Sequence, residues 1–456
     1  MFDLVIKNGW VIDPSARISS QLNLGVKSGR IASLTRGEIS GSTVIDAEGL
    51  IVAPGFIDMH IHEDLYDAGE DRFQYLIFNS MLKMGVTTVV GGNCGIGTTS
   101  NPVEYLDAVD RLGCPVNVGM LSPHERLRTA FGSFSRYESL GKETIAKMEE
   151  LLQSQLDGGC LGVSLGMEYI PGIDKAEATA MMRVAEQNGK LVTVHQRDDG
   201  DKAVSSVEEL AEYAAETGVR LQISHLSSMC SFGGMEEALS VIDDCRAKGM
   251  DILFDAYPYY AFCTTIGSAV FDEGFLAHYG YGDEGYSKLQ VDESYLKGGT
   301  LTPELFKKIR EREPEALVVA HVLNEAEVDR CITHPAGIVV SDGLYKDGTG
   351  HPRGSGTFPK LIREYVTERK LLTLEATIEK ITWLPARRMN LTGKGSLTIG
   401  ADADITIFDR QRIRDGATYQ QPLKEPEGIE YVVLGGEIAL KAGEIRNGRL
   451  GKAIRG

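Results

Sequence analysis

LVTVHQRDDGDKAVSSVEELAEYAAETGVRLQISHL, residues 191–226, contains two short apolar runs, LVTVHQ (191–196) and LQISHL (221–226), with a helical stretch between them. Strand, helix and strand in that order form a βαβ unit whose strands lie parallel. The alternation continues on both sides. FIDMHIH (56–62), TTVVGGN (87–93), VNVGML (116–121) and LGVSLG (161–166) precede the unit, and DILFDAY (251–257) and IVVSDG (338–343) follow it. Eight such strands within residues 54–395 predict an α/β fold, a (β/α)8 TIM barrel. The long gap before the eighth strand, about 261–335, includes HYGYGDEGYSKL and predicts an insertion over the barrel mouth.

The chain ends have another texture. FDLVIKNGWVID, LNLGVKSGRIASL and TVIDAEGLIVA in residues 1–53 are short apolar runs punctuated by Gly and Asp, as are ADADITIFDR, IEYVVLGGEIAL and IRNGRL in residues 396–456. The two ends are expected to pair into one small, discontinuous β-sandwich domain.

Composition excludes several function classes. Of 456 residues, 42% are hydrophobic and 25% charged, ordinary values that argue against a disordered or fibrous protein. Asp and Glu number 65 against 47 Lys and Arg, and the net charge of -18 repels a polyanion, so nucleic acid is excluded as a partner. No stretch is apolar and long enough to span a bilayer, and MFDLVIKNGWVIDP lacks the basic head and apolar run of a secretory leader, which predicts no membrane contact and a cytoplasmic location. Seven scattered cysteines make no disulfide framework and leave thiols free to bind metal. Assembly into a homo-oligomer is left open.

The chemistry gathers at strand ends. His60 and His62 close the first strand, Cys94 follows the second, His195 and His225 close the fifth and sixth, and Asp342 closes the eighth. In a parallel barrel these ends converge on one face, where active sites are built. Each histidine alone reads equally well as a hydrogen-bonded core residue, and Cys94 in GNCGIG as a small buried hydrophobe. Together, thiolate, imidazole and carboxylate at corresponding ends form a zinc ligand set. His60 and His62, two positions apart, project from one face of a strand and can grip one ion.

At this point the chain resembles the amidohydrolase superfamily, and within it the N-acyl-D-amino-acid deacylase (D-aminoacylase) branch. PGFIDMHIH is similar to the superfamily's first-strand motif and GVTTVVGGNCGIG to the branch's cysteine-bearing second strand; LGVSLGMEYIPG, VHQRDDGD, QISHLSS, FDAYPYY, VVSDGLYKDGTGHPRGSGTFPKLIREYV and LPARRMNLTGKGSLTIGADADITIFD extend the likeness over nearly the whole chain. The resemblance implies zinc and hydrolysis of the linear amide of an N-acyl amino acid by metal-activated hydroxide. It implies that Cys94, His195 and His225 hold one tight zinc, that His60 and His62 form a second, weaker metal position, and that Asp342, itself near the metal, is the catalytic acid/base. Two positions depart from many relatives: Ser227 stands where a lysine is usual, and Asp198-Asp199 where serine-glutamate is usual.

The product amino acid bears a carboxylate, so a cation should hold it; Arg197 is the first candidate and Arg353 the second, with His351 and Lys346 behind them. Tyr169 and Tyr257 are candidates to meet the negative charge that develops on the amide oxygen. Two other functions compete. A cyclic amide hydrolase of the dihydroorotase or hydantoinase kind typically uses a carboxylated lysine, and LGVSLGMEY offers none, though Glu168 could add a carboxylate there. A non-catalytic metal-binding barrel would have no use for Asp342 as a base. The insertion is expected to act as a mobile lid with Gly267, Gly280 and Gly282 as hinges.

Overall fold

The computed structural model describes residues 1–296 and 298–456; Lys297, within the expected insertion, lies outside the described residues. Eight parallel strands form its centre: β1 (Phe56–Asp58), β2 (Val86–Gly91), β3 (Asn117–Met120), β4 (Gly162–Gly166), β5 (Leu191–His195), β6 (Arg220–Ile223), β7 (Ile252–Ala256) and β8 (Gly337–Val339). β1 pairs with β2 and β2 with β3. The chain past β3, Ser122–Pro123, pairs with β4, and β4 through β8 then pair in order. Beyond β8 a parallel bridge joins Gly343 to Ile61, next to β1. Their apolar side chains are buried, Leu253 only in part, and Ile57, Met59, Val90, Leu121, Leu161, Leu191, Ile338 and Val340 share one cluster. The other apolar face of the strands packs on the helices.

All the strands but β4, which ends at Gly166 as expected, were expected to reach further along the chain than they do. β1 stops at Asp58 rather than residue 62, β6 at Ile223 rather than 226, and β8 at Val339 rather than 343. For β6 and β8 the reason is local backbone geometry: His225 (φ 32°) and Asp342 (φ 50°) lie in the left-handed region, where a strand cannot continue.

The chain ends share one nine-stranded sheet in which strand Ile51–Pro54 pairs antiparallel with Ile405–Phe408. The apolar run of Phe2–Asp13 divides its partners, pairing parallel with Gly41–Asp46 and then with Ile51–Pro54. The last residues leave that sheet: Ala453–Ile454 pairs with β3 instead.

The insertion after β7 builds a small antiparallel sheet from Phe262–Thr265, Leu289–Gln290 and Leu317–Ala320. It ends earlier than residue 335, because helix Glu325–Thr333 packs back beside β8 and the helices after β6. Gly267 is pinned, its N–H donating to the Pro314 carbonyl at 2.7 Å. Gly280 has φ 80° and open space around it, the geometry of a turn that only glycine adopts freely.

Candidate metal centre

Leu191, Thr193 and His195 share one face of β5 by strand alternation, and Leu191 belongs to the cluster shared by the strands, so the His195 ring faces inward with it. On β6 the same rule works against His225. Leu221 and Ile223 pack with the helices, and His225 has their parity. Its left-handed backbone turns the ring back toward the strand ends, and its N–H is held by Asp255 Oδ1 at 2.7 Å. β1 shifts phase in a similar way: Met59 packs with the strand cluster and Ile61 with the helices, which brings His60 and His62 to the same end.

Cys94 sits in a turn that requires glycine on both sides. Gly92 (φ 76°) and Gly95 (φ 69°) flank Cys94 itself at φ 55°. A methyl group at Gly166 would overlap the Cys94 carbonyl, so the loop after β2 lies directly on the end of β4. Three candidate site residues, Cys94, His225 and Asp342, therefore occupy left-handed backbone at a cost of about 1–3 kcal/mol each.

The structure brings six predicted residues together in two groups that share a sulfur: His60, His62, Cys94 and Asp342, and Cys94, His195 and His225. Cys94 Sγ lies 3.2 Å from His60 Nε2 and 3.3 Å from His225 Nε2. His195 Nδ1 is 3.1 Å from His225 Nε2, and Asp342 Oδ1 is 3.2 Å from His62 Nε2 and 3.5 Å from His60 Nε2. A tetrahedral ion with bonds of about 2.0–2.3 Å sets its ligands roughly 3.3–3.7 Å apart, close to these separations. The donor set of one thiol, four imidazoles and a carboxylate also matches zinc.

The far nitrogens are held as metal-ligating imidazoles require. His60 Nδ1 lies 3.2 Å from Asp255 Oδ1, His195 Nε2 lies 2.6 Å from Glu168 Oε2, and His225 Nδ1 lies 3.1 Å from Ser228 Oγ. Each contact leaves the other nitrogen's lone pair facing the cluster. Sequence reasoning weighed Glu168 only as an extra carboxylate and missed Asp255 and Ser228. The signal for Asp255 was present, an acid at the end of the seventh apolar strand in LFDAY.

Electrostatics favour an anionic sulfur. Burial opposes ionisation of Cys94, but the His60 and His225 imidazoles outweigh it and hold the thiol well below its usual range. For His62, burial pulls the imidazole down, yet Asp342 and Cys94 raise it to about 9. For His195, Cys94 and Glu168 likewise overcome burial and raise it to about 10. Asp342 is buried, but Arg353 and then His60 keep its carboxyl well below the carboxylate range.

A narrow cavity of about 20 Å³ adjoins the cluster, lined by Asp342, His195 and His225, by Arg353, Tyr169 and Tyr257, and by Phe262, Cys263, Thr264 and Val270 of the insertion. The wider surface cavities elsewhere lie away from these donors. Arg353 is 1% exposed; Nη2 reaches Asp342 Oδ2 at 2.9 Å and the Cys263 carbonyl at 3.2 Å, while Nε and Nη1 have no partner. Its guanidinium lies 4.6 Å from the Tyr257 ring centre, and the buried Tyr257 hydroxyl is also unpartnered. The Tyr169 ring packs 4.4 Å from that of His195, with its hydroxyl 3.1 Å from Thr264 Oγ1.

The other expected substrate contacts are committed elsewhere. Arg197 is taken by Glu209, at 2.9 Å from Nε to Oε2, and by the carbonyls of Pro171 and Ile173. Proximity in sequence to His195 misled, because Glu209 on the following helix captures the guanidinium. His351 spends both ring nitrogens on backbone, the Ala261 carbonyl and the Arg353 N–H, and so positions Arg353. Lys346 is exposed and donates to the Glu315 carbonyl.

The family model for the amidohydrolase family matches residues 43–334 and 338–440. The chain belongs to the amidohydrolase family. It is 32% identical to an N-acyl-D-glutamate deacylase of Alcaligenes xylosoxydans xylosoxydans, covering 95% of this chain and 93% of the relative, and 31% identical to a D-aminoacylase of the same organism over 95% and 94%. Among solved structures, this amidohydrolase superposes with TM-score 0.89 and 29% identity on an N-acyl-D-glutamate deacylase from Bordetella bronchiseptica complexed with zinc and a phosphonate mimic of the tetrahedral intermediate, covering 100% of both chains. A D-aminoacylase structure gives TM-score 0.88 at 27% identity, again over 100% of both chains. A D-hydantoinase at 17% identity and TM-score 0.63, over 99% of this chain and 98% of the other, shares the fold alone. Among the described residues, no helix is long and apolar enough to cross a membrane.

Proposed function

We propose that this amidohydrolase uses zinc to hydrolyse the linear amide of an N-acyl amino acid, by likeness to its relatives the D-form. The observation that carries this reading is a buried carboxylate, Asp342, with Oδ1 facing a shared thiolate and imidazole cluster and Oδ2 fixed by Arg353. In this reading the eight parallel strands close into a (β/α)8 barrel, the end sheet folds into a β-sandwich, and the insertion covers the mouth as a lid. Seven unpaired cysteines suit a reducing, cytoplasmic setting.

Cys94, His195 and His225 would hold the tight zinc, and His60 and His62 with the shared Cys94 a second, weaker position. A D-aminoacylase with TM-score 0.87 and 26% identity is described as having one-metal activation and second-metal attenuation, which parallels that division. When bound, zinc supplies Lewis acidity that polarises the amide carbonyl and lowers the pKa of water. Asp342 accepts the proton of the attacking water on Oδ1, the oxygen that faces His60 and His62, and delivers it to the departing nitrogen, which cannot leave as an anion. Arg353 keeps Asp342 ionised and offers its free Nε and Nη1 to the substrate carboxylate. The free Tyr257 hydroxyl is placed to donate toward the amide oxygen, and Tyr169 shields the His195 ring from water.

A ring-opening hydrolase built on a carboxylated lysine finds no support, since β4 contains none. Asp342→Asn tests the assignment: zinc content should stay near wild type while kcat falls by about 100-fold or more. Retained turnover would refute it.

A further inference from the structure

The cavity that Arg353 lines also carries a second charge pattern. Asp199 and Glu168 both line it, together with Tyr169, Met229, Phe262 and Val270. Asp199 is 8% exposed, and its recorded hydrogen bond is from the Tyr279 hydroxyl to Oδ2 at 2.8 Å, which leaves Oδ1 free. Glu168 spends Oε2 on His195. Burial, and then the neighbouring Glu168 carboxylate, raise the Asp199 carboxyl well above the carboxylate range, while His195 and Tyr279 act in the opposite direction. The nearest arginine in sequence, Arg197, is occupied by Glu209, and Arg353, the cation lining the cavity, is held on Asp342 by Nη2. Asp199 is also locked in place: Tyr279 stacks on Phe232 at 4.8 Å, and His278 beside it pairs with Asp201 at 2.9 Å.

Resting on the deacylase reading, we infer that the substrate's amino-acid side chain ends in a cation received by Asp199, and that acidic side chains are refused. The alkyl stem of a lysine or ornithine side chain would lie against Met229, Phe262 and Val270, and its ammonium would meet Oδ1 of Asp199 with Glu168 behind it. A carboxylate in that place would face two acids with no cation opposite, an arrangement buried sites reject strongly. Asp199 is thus the specificity-determining residue, in a chain 32% and 31% identical to relatives named for D-glutamate and D-aspartate.

The test is kcat/KM of the zinc-loaded enzyme for Nα-acetyl-D-lysine, Nα-acetyl-D-norleucine and N-acetyl-D-glutamate. The expected order is lysine above its uncharged counterpart norleucine by about tenfold or more, with glutamate lower by about 100-fold or more. Asp199→Asn should remove the lysine advantage, bringing the ratio of kcat/KM for lysine over norleucine to about one. Equal rates for lysine and norleucine, or glutamate as the best substrate, overturns the inference and leaves the deacylase reading standing. Failure of every N-acyl amino acid overturns both.

Discussion

Replacing Asp255 by Asn tests whether a carboxylate behind the cluster organises it. Asp255 makes three contacts: Oδ1 lies 3.2 Å from His60 Nδ1 and accepts the His225 N–H at 2.7 Å, and Oδ2 accepts Gln222 Nε2 at 3.1 Å. Gln222 cannot turn over to help, because its own Oε1 accepts Arg388 Nε at 2.9 Å. An amide at 255 therefore sets its NH2 against Gln222 Nε2, or, if flipped, against the His225 N–H and His60. Either way a buried donor faces a donor, at a cost of about 1–3 kcal/mol. The His60 tautomer loses its anionic partner as well, and losses of this kind lower metal affinity about 10- to 100-fold. Zinc affinity measured by competition with a chromophoric chelator should fall by that factor, with a lowered denaturation midpoint. Wild-type affinity and midpoint together would refute the role given to Asp255.

Two further predictions concern the loop that carries Cys94 and the protons of the cluster. Gly166→Ala sets a methyl group into the Cys94 carbonyl, where rigid backbone must move, so stability should drop by about 1–3 kcal/mol and zinc should be lost with it; full zinc content and an unchanged denaturation midpoint would count against it. His62 and His195, raised to about 9 and about 10, carry protons at pH 7 without metal, whereas the Cys94 thiol is held well below its usual range. Zinc displaces those imidazole protons, so log K should climb by about 1–2 per pH unit between pH 6 and 8, and a flat profile would contradict it. The sign for folding is opposite: these pKa values lie above the unfolded value, so the metal-free protein is stabilised fully below pH 6.5 and loses that contribution as pH rises through about 9 to 10.

The strands were legible because each is a short apolar run bounded by polar turns, and the candidate metal ligands because they recur at corresponding ends of those runs. What the sequence hid depends on backbone conformation and long-range partners. His225 faces the cluster against the alternation of its own strand, through a left-handed turn anchored on Asp255, 30 positions away. Arg197 looked well placed by its distance from His195, yet Glu209 on the following helix captures it. Arg353 was named as a substrate contact, but its ion pair with Asp342 was not foreseen. The insertion's end was misjudged because a helix that packs beside β8 follows it without a break in composition.

The most direct test is release of free amine from N-acetyl D- and L-amino acids by metal-stripped and zinc-restored protein, with hydantoin and dihydroorotate assayed alongside for ring opening. Zinc-dependent cleavage of the linear D-amides, with no ring opening, is the predicted result. Ring opening without N-acyl cleavage, or full activity after the zinc is removed, would contradict it.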